Sequence, residues 1–218
     1  MIDIIIFAII ALLLAHRLYS VLGTTAESTT KKKSAEIIDL DKSQYEETKK
    51  EQEADNINDL DDDIISELSK ESQSSINEIK ELDESFSIYK FSKGAEKAFE
   101  IIISSFANGD KKSLFNLCTT EVAENFYQEY EKNYKLGQKI NVNIVGIESC
   151  TVKQVKKENN LVTIKVKILS EQITTITDKS NKVVSGDVKH IDEINDNWFF
   201  TRDFKQSSPI WKLAKATN

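Results

Sequence analysis

Apolar and polar positions change rhythm four times along this chain. Residues 4–15, IIIFAIIALLLA, carry no charge, and from Ile4 to Leu22 only His16, Arg17, Tyr19 and Ser20 interrupt the apolar run. A helix needs about 20 mostly apolar residues to span a bilayer. The pattern predicts a membrane anchor over residues 1–23, with Ile4, Phe7, Leu12, Leu14 and Leu22 in lipid, Arg17 snorkelling and Tyr19 among headgroups. The opening Met-Ile-Asp has no Lys or Arg, and no clear small-x-small site follows, so an uncleaved anchor is favoured over a signal peptide. Residues 24–63 then read as a disordered acidic linker, because low hydrophobicity with dense charge does not offset the entropy of ordering. Ile37, Ile38 and Leu40 form a small apolar island in it. Over residues 64–86 the positions Ile65, Leu68, Ser72, Ser75, Ile79, Leu82 and Phe86 recur at spacings of three and four, with Ile64 and Ile76 beside them. This predicts an amphipathic helix with a thin stripe, weakened by two serines and stable only when docked on the domain or a partner.

The remaining residues, 87–218, read as one domain. GAEKAFEIIISSFANGD places Ala95, Phe99, Ile102, Ile103 and Phe106 on one helical face and stops at Asn108-Gly109. Asp110 caps a short helix burying Leu114 and Leu117, and Thr120 opens a third that ends at Gly137. From Ile140 the period becomes two. Ile140, Val142 and Ile144 alternate up to a bulge expected near Gly146, and Val162, Ile164, Val166 and Ile168 face inward with Lys165 and Lys167 outward. Turns are expected at Lys-Glu-Asn-Asn and at 178–181. Helices followed by antiparallel strands indicate an α+β domain, its curved sheet folded over the helices with one face wet.

Charge divides the chain in the same places. Residues 24–85 hold 8 Lys against 19 Asp and Glu, whereas residues 86–218 hold 20 Lys and Arg against 16 acids. Arg17 and Lys31 to Lys33 follow the apolar run, so the positive-inside rule turns the C-terminal body toward the cytoplasm. The mild basicity of the body, without a dense patch of interleaved aromatics, argues against nucleic acid; Lys153, Lys156, Lys157, Lys165 and Lys167 read as the wet face of a sheet. Cys118, Cys150, His16 and His190 are too dispersed to supply the four close ligands a zinc ion takes, and no cofactor motif is present. The two thiols read as reduced core residues.

The rarest residue types crowd into NWFFTRDFKQSSPIW, residues 197–211. Trp198, Phe200 and Arg202 share a strand face, and KQSSP turns the chain into a return strand beginning near Ile210 and Trp211. These four residues, Trp198, Phe200, Arg202 and Trp211, are the candidate pocket or partner-binding set. The structural reading makes the tryptophans core and pairs Arg202 with one acid, its stem covering a tryptophan; the functional reading puts Arg202 at a pocket mouth, holding a carboxylate. His190, Asp192, Glu193 and Asp203 are the candidates for acid–base work, but no nucleophile–base–orienter set and no glycine-rich phosphate loop accompany them, so no enzyme is expected.

The order AFEIIISSFANGDKKSLFNLCTTEVAENF, then SEQITT, then W-F-F-x-R and P-x-W-K-L, resembles the Tim44-like domain family. The apolar start ending HRLYSVLG resembles that family's bacterial, membrane-anchored branch, while the linker resembles nothing in it. The resemblance implies a cone-shaped fold similar to nuclear transport factor two, helices wrapped by a curved sheet, often around an apolar pocket. It also implies a single-pass adaptor or scaffold at the inner membrane, without cofactor, whose cytoplasm-facing domain binds another protein in translocation, membrane insertion or chaperone recruitment. The alternative is a membrane-tethered domain of the same fold that holds a lipid or small molecule, conceivably with catalysis.

Overall fold

Alternating and helical apolar spacings become five helices followed by five strands in the computed structural model, which describes residues 45–217, with side chains from residue 56. The helices are α1 (Tyr45–Ser66), α2 (Lys70–Leu82), α3 (Ile88–Asn108), α4 (Lys111–Leu117) and α5 (Thr120–Lys135). The strands are β1 (Lys139–Glu158), β2 (Leu161–Thr177), β3 (Val183–Gly186), β4 (Asp192–Asp203) and β5 (Lys212–Thr217). All pairings are antiparallel, in the order β1-β2-β4-β5, with the short β3 on the end of β2. The α+β order expected from the sequence is present.

Strand alternation builds the core. Val162, Ile164, Val166 and Ile168 of β2, Trp198 and Phe200 of β4, and Leu213 of β5 point inward and are fully or almost fully buried. They meet Phe99, Ile102, Ile103 and Phe106 of α3, and the Phe99 and Trp198 rings lie 4.8 Å apart. Three register shifts in β1, at Ile144/Gly146, Ile147/Ser149 and Val152/Gln154, bend it around the helices; the first is at the glycine that marked a bulge in sequence. Asn159 and Asn181 take the left-handed conformations that close the two β-turns.

The caps explain where the helices start and stop. The Ser87 hydroxyl accepts from the Lys90 amide, so α3 begins six residues before Gly94, where the sequence reading began it. Gly109, at φ 68°, ends α3; a Cβ there would run into the Tyr130 ring. The Asp110 carboxylate caps α4 through the Ser113 amide. At the start of α5 the cap position belongs to Thr119 rather than Thr120, and its hydroxyl makes no cap bond; the Thr119 amide instead donates to Leu213 O, stitching the helical layer to β5.

The N-terminal side of the domain differs from the sequence reading. The single helix expected over residues 64–86 is two, because the chain breaks at residues 67–69. Gln73 Nε2 donates to Leu68 O at 2.9 Å and Ile65 O at 3.2 Å, bridging carbonyls of the break after α1, and Ser69 caps α2. The buried stripe of α2 is Ser72, Ile76 and Ile79; Ile76 takes the place that spacing gave to Ser75, and Leu82 is half exposed. Ser72 is not a flaw in that stripe. Its hydroxyl accepts from the Val155 amide at 3.1 Å and so covers an unpaired donor on the edge of β1. Ile76 and Ile79 are fully buried in the main core, so the domain includes residues placed before its expected start at 87.

Residues 45–63 were read as part of a disordered linker, yet they are helical. Composition underestimates this segment because its docking is partly polar. Asp61, almost fully buried, accepts from Ser87 Oγ at 2.7 Å and from the Tyr89 amide at 2.9 Å, with Lys80 Nζ at 3.7 Å. A carboxylate thus takes an open amide at the positive end of α3. Ile64 and Ile65 pack beside it. The anchor residues Ile4, Phe7, Leu12, Leu14, Arg17, Tyr19 and Leu22, and the island at Ile37, Ile38 and Leu40, lie outside the described residues. Among the described residues no helix is long and apolar enough to cross a membrane.

Ile79→Ala is expected to destabilise the full chain by about 2–5 kcal/mol in urea denaturation, the usual range for a buried Ile→Ala change. Truncation at residue 86, which removes α2 entirely, is expected to abolish the cooperative transition. A cooperative, wild-type-like melt of either variant would return α2 to the tether.

Candidate functional site

The α2–α3 connection, the first turns of α3, the end of β4 and the loop before β5 enclose a groove of about 420 Å³. Phe91 is its hub. The period of α3 points it at the sheet, where it meets Phe200 edge-on at 6.0 Å and Trp211 at 5.0 Å. Phe86 and Phe204 flank the Trp211 indole at 6.0 and 6.3 Å. Pro209 and Ile210 form an exposed lip, Ile210 being 48% exposed, and Gly94, Ala95 and Ala98 keep the α3 wall shallow.

One ion pair marks the groove. Arg202 Nη1 donates to Asp83 Oδ2 at 3.0 Å, their side chains 15% and 24% exposed. The guanidinium lies 4.3 Å over the Phe204 ring, so the aromatic it covers is Phe204 and not a tryptophan. Its Nε is buried with no hydrogen-bond partner among the described residues. Asp83 also accepts from the Ser85 hydroxyl at 2.6 Å and the Ser85 amide at 3.2 Å. The Ser85 hydroxyl first, and Arg202 after it, hold the Asp83 carboxyl below its ordinary range against the opposing effect of burial. Lys90 adds a second cation to the lining.

Three of the four residues singled out in the sequence, Phe200, Arg202 and Trp211, line this groove. Trp198 does not: it is fully buried one layer deeper, 6.0 Å from Phe200, and its indole N–H has no partner among the described residues. The return strand starts at Lys212, which leaves Trp211 outside the ladder and free to turn into the groove. The sequence reading put Phe86 at the end of the 64–86 stripe and began the next helix after Phe91, so neither was assigned to the groove. The signal was there in Ser87 as a helix cap, with Phe91, Ala95 and Phe99 at spacing four.

Other chemistry-bearing groups lie apart. His190 Nε2 is 3.3 Å from Asp192 Oδ1 at the start of β4, and Glu193 is exposed next to them. Asp203, at the opposite end of this 12-residue strand, holds a turn through the Lys205 amide. Asp196 points inward beside Trp198; burial pushes its carboxyl up to about 6, and no hydrogen bond reaches it among the described residues. Burial likewise pushes the Cys118 thiol up to about 12 and the Cys150 thiol up to about 11, so both stay protonated at neutral pH. Among the described residues no three His, Cys, Asp or Glu side chains lie close enough to hold a metal ion.

Comparison with known proteins follows the same boundaries. Residues 72–218 match the family model of the Tim44-like domain, starting inside α2. The chain is similar to the mitochondrial import inner membrane translocase subunit TIM44-1 of Arabidopsis thaliana, 24% identical over 165 residues, covering 73% of this chain and 34% of that protein. It therefore spans about a third of that relative's length. Similar solved structures include the intermembrane space region of chloroplast protein ARC6, at TM-score 0.41 and 10% identity over 58% of this chain and 94% of that one. An NTF2-like protein from Cytophaga hutchinsonii has TM-score 0.32 and 12% identity over 57% of this chain and 93% of that one.

Arg202→Met keeps the stem and removes the charge, and is expected to cost about 1–2 kcal/mol at neutral pH for a largely shielded, charge-assisted bond. Asp83 has a lowered pKa in the fold, so this stabilisation is present above its unfolded pKa and is lost as pH falls through the folded one. The gap between wild type and variant in urea melts should close in acid; a gap that persists would locate the effect in packing.

Asp196 has the opposite sign. Its folded pKa of about 6 exceeds the ordinary 3.8, so the fold holds a proton that the unfolded chain releases, and stability falls as pH rises through that window. Asp196→Asn should gain about 1–3 kcal/mol at pH near 7.5 and nothing below pH about 4, at roughly 1.4 kcal/mol per pKa unit. Equal stability of the two proteins at both pH values would show that Asp196 is solvated.

Proposed function

Because the chain belongs to the Tim44-like domain family, we propose that it is an inner-membrane adaptor of that family's bacterial, membrane-anchored branch. Its first 23 residues hold the bilayer and its domain, facing the cytoplasm, captures another polypeptide. The apolar run from Ile4 to Leu22 and the basic residues after it support the anchor and its direction. The relative's role as an import translocase subunit supports a setting in protein translocation, membrane insertion or chaperone recruitment. The proposal contains no catalytic step and no cofactor.

The observation that carries the capture role is the aromatic groove. Trp211 and the exposed Ile210 form an open apolar trough floored by the buried rings of Phe86, Phe91 and Phe200, with Lys90 and the Arg202–Asp83 pair in its lining. Aromatic side chains beside a few placed charges are the composition of protein-binding hot spots. An open trough accommodates an extended polypeptide side chain by side chain. Its volume also lies within the range of small-molecule sites, which keeps a lipid or metabolite as the second reading.

A photo-crosslinking residue in place of Ile210, on the exposed lip, separates the two in intact membranes. Polypeptide adducts that disappear with Trp211→Ala are the expected result. Adducts with lipid alone would make the second reading correct. In the same cells, protease added from outside should leave residues 45–217 intact; digestion would reverse the orientation.

A further inference from the structure

The outer face of the sheet carries a feature that the groove does not use. Across β1, β2, β4 and β5 the register puts Gln154, Lys165, Phe199 and Lys215 in one row. Lys165 Nζ lies 5.6 Å and Lys215 Nζ 5.5 Å from the centroid of the Phe199 ring. A half-buried phenylalanine on a wet face thus gathers an ammonium group from each neighbouring strand, within the range of cation–π attraction. The adjacent row adds Lys167 between Thr151 and Asn197, and the row on the other side adds Lys156.

No acid interrupts these three rows. Lys156 pairs with Glu158 at the patch margin, but among the described residues no carboxylate reaches Lys165, Lys167 or Lys215. The acids stand beyond both ends: Glu171 opposite Glu193 at one, and Glu158 and Asp203 flanking Leu161 at the other. At about 3.3 Å per residue and about 4.8 Å per strand, the acid-free area is roughly 13 by 14 Å. Lysine ammonium groups confined over one ring lose less freedom on binding than free surface lysines, and their like charges add at close quarters.

The chemistry of the patch selects its occupant. A bilayer-inserting surface presents apolar side chains beyond its cations, whereas the one apolar neighbour of these lysines, Phe199, lies beneath their ammonium groups and the others are Thr, Asn and Gln. Single-stranded nucleic acid needs open aromatic faces for stacking, and the one aromatic here already carries two ammonium groups. Carboxylates spaced along a polypeptide need neither. We propose that the outer sheet face around Lys165, Phe199, Lys167 and Lys215 docks an acidic segment of a partner protein. It stands independently of the groove, since Phe199 and Phe200 point to opposite faces of β4.

The probe is a fluorescein-labelled peptide of alternating Glu and Ser, titrated against the detergent-solubilised full chain by anisotropy. Binding is expected, weakened about tenfold between about 0.05 and 0.3 M salt as screening sets in. The pair Lys165→Glu with Lys215→Glu should lower affinity at least about tenfold, since it sets like charges against the peptide's carboxylates, and Trp211→Ala should leave it unchanged. Phe199→Leu, which keeps the bulk and removes the ring, should weaken it several-fold. If the charge-reversed pair melts early, Lys165→Gln with Lys215→Gln gives the same readout at smaller amplitude. The proposal is overturned by absent binding, by binding that survives both charge variants, or by tighter binding of phosphatidylglycerol vesicles or poly-uridine. A carbodiimide crosslink from Lys165 or Lys215 to residues 24–63 of the same chain would overturn it in favour of self-docking.

Discussion

The contact between Phe99 and Trp198 fixes where α3 lies across the sheet. Two large rings meeting at the centre of a curved surface admit one helix position, because a core at crystal-like density has no slack for another. From that pin, α3 runs two turns back to Phe91, which places one wall of the groove, and further to Ser87 and Tyr89, which receive Asp61. It runs forward to Gly109, where the absence of a side chain lets Tyr130 of α5 close over the turn. The groove, the docking of α1 and the seat of α5 are thus consequences of one buried pair.

Alternation on β4 then separates two chemistries by a single residue step. Trp198, Phe200 and Arg202 face the helices, and Asn197, Phe199 and Thr201 face solvent. Each face uses an aromatic ring to manage a cation, but to different ends. Inside, Phe204 supports a guanidinium that is already committed to Asp83. Outside, Phe199 supports two ammonium groups that no carboxylate among the described residues neutralises.

Much of this was legible in the sequence where a local rule and the tertiary context agree. The switch from period 3.6 to period 2, the glycine at the first bulge, the asparagine turns and the Asp110 cap all follow from backbone preference at single positions. The failures share a cause. Ser72 weakened the α2 stripe on paper, but its hydroxyl answers an amide 83 residues away on β1, and Asp61 answers Ser87 and Tyr89 across a helix boundary. Hydrophobicity counts such residues as losses; their partners are set by the fold. The groove was half visible for the same reason: Arg202 and Trp211 announce themselves by rarity and Phe200 by its strand phase with Arg202, whereas Phe86 and Phe91 acquire their role only when α3 crosses β4.

The seating of Asp61 gives the molecule a mechanical character. At about 1.5 Å per residue, the 22 residues of α1 form a strut roughly 33 Å long. It enters the domain at an ionic socket on the end of its long helix α3. A pull applied along α1 is opposed at this socket, where Asp61 holds Ser87 and the Tyr89 amide at the start of α3. A flexible leash dissipates tension in its own slack. Residues 45–66 are one continuous helix, with no such slack between Tyr45 and the seat of Asp61.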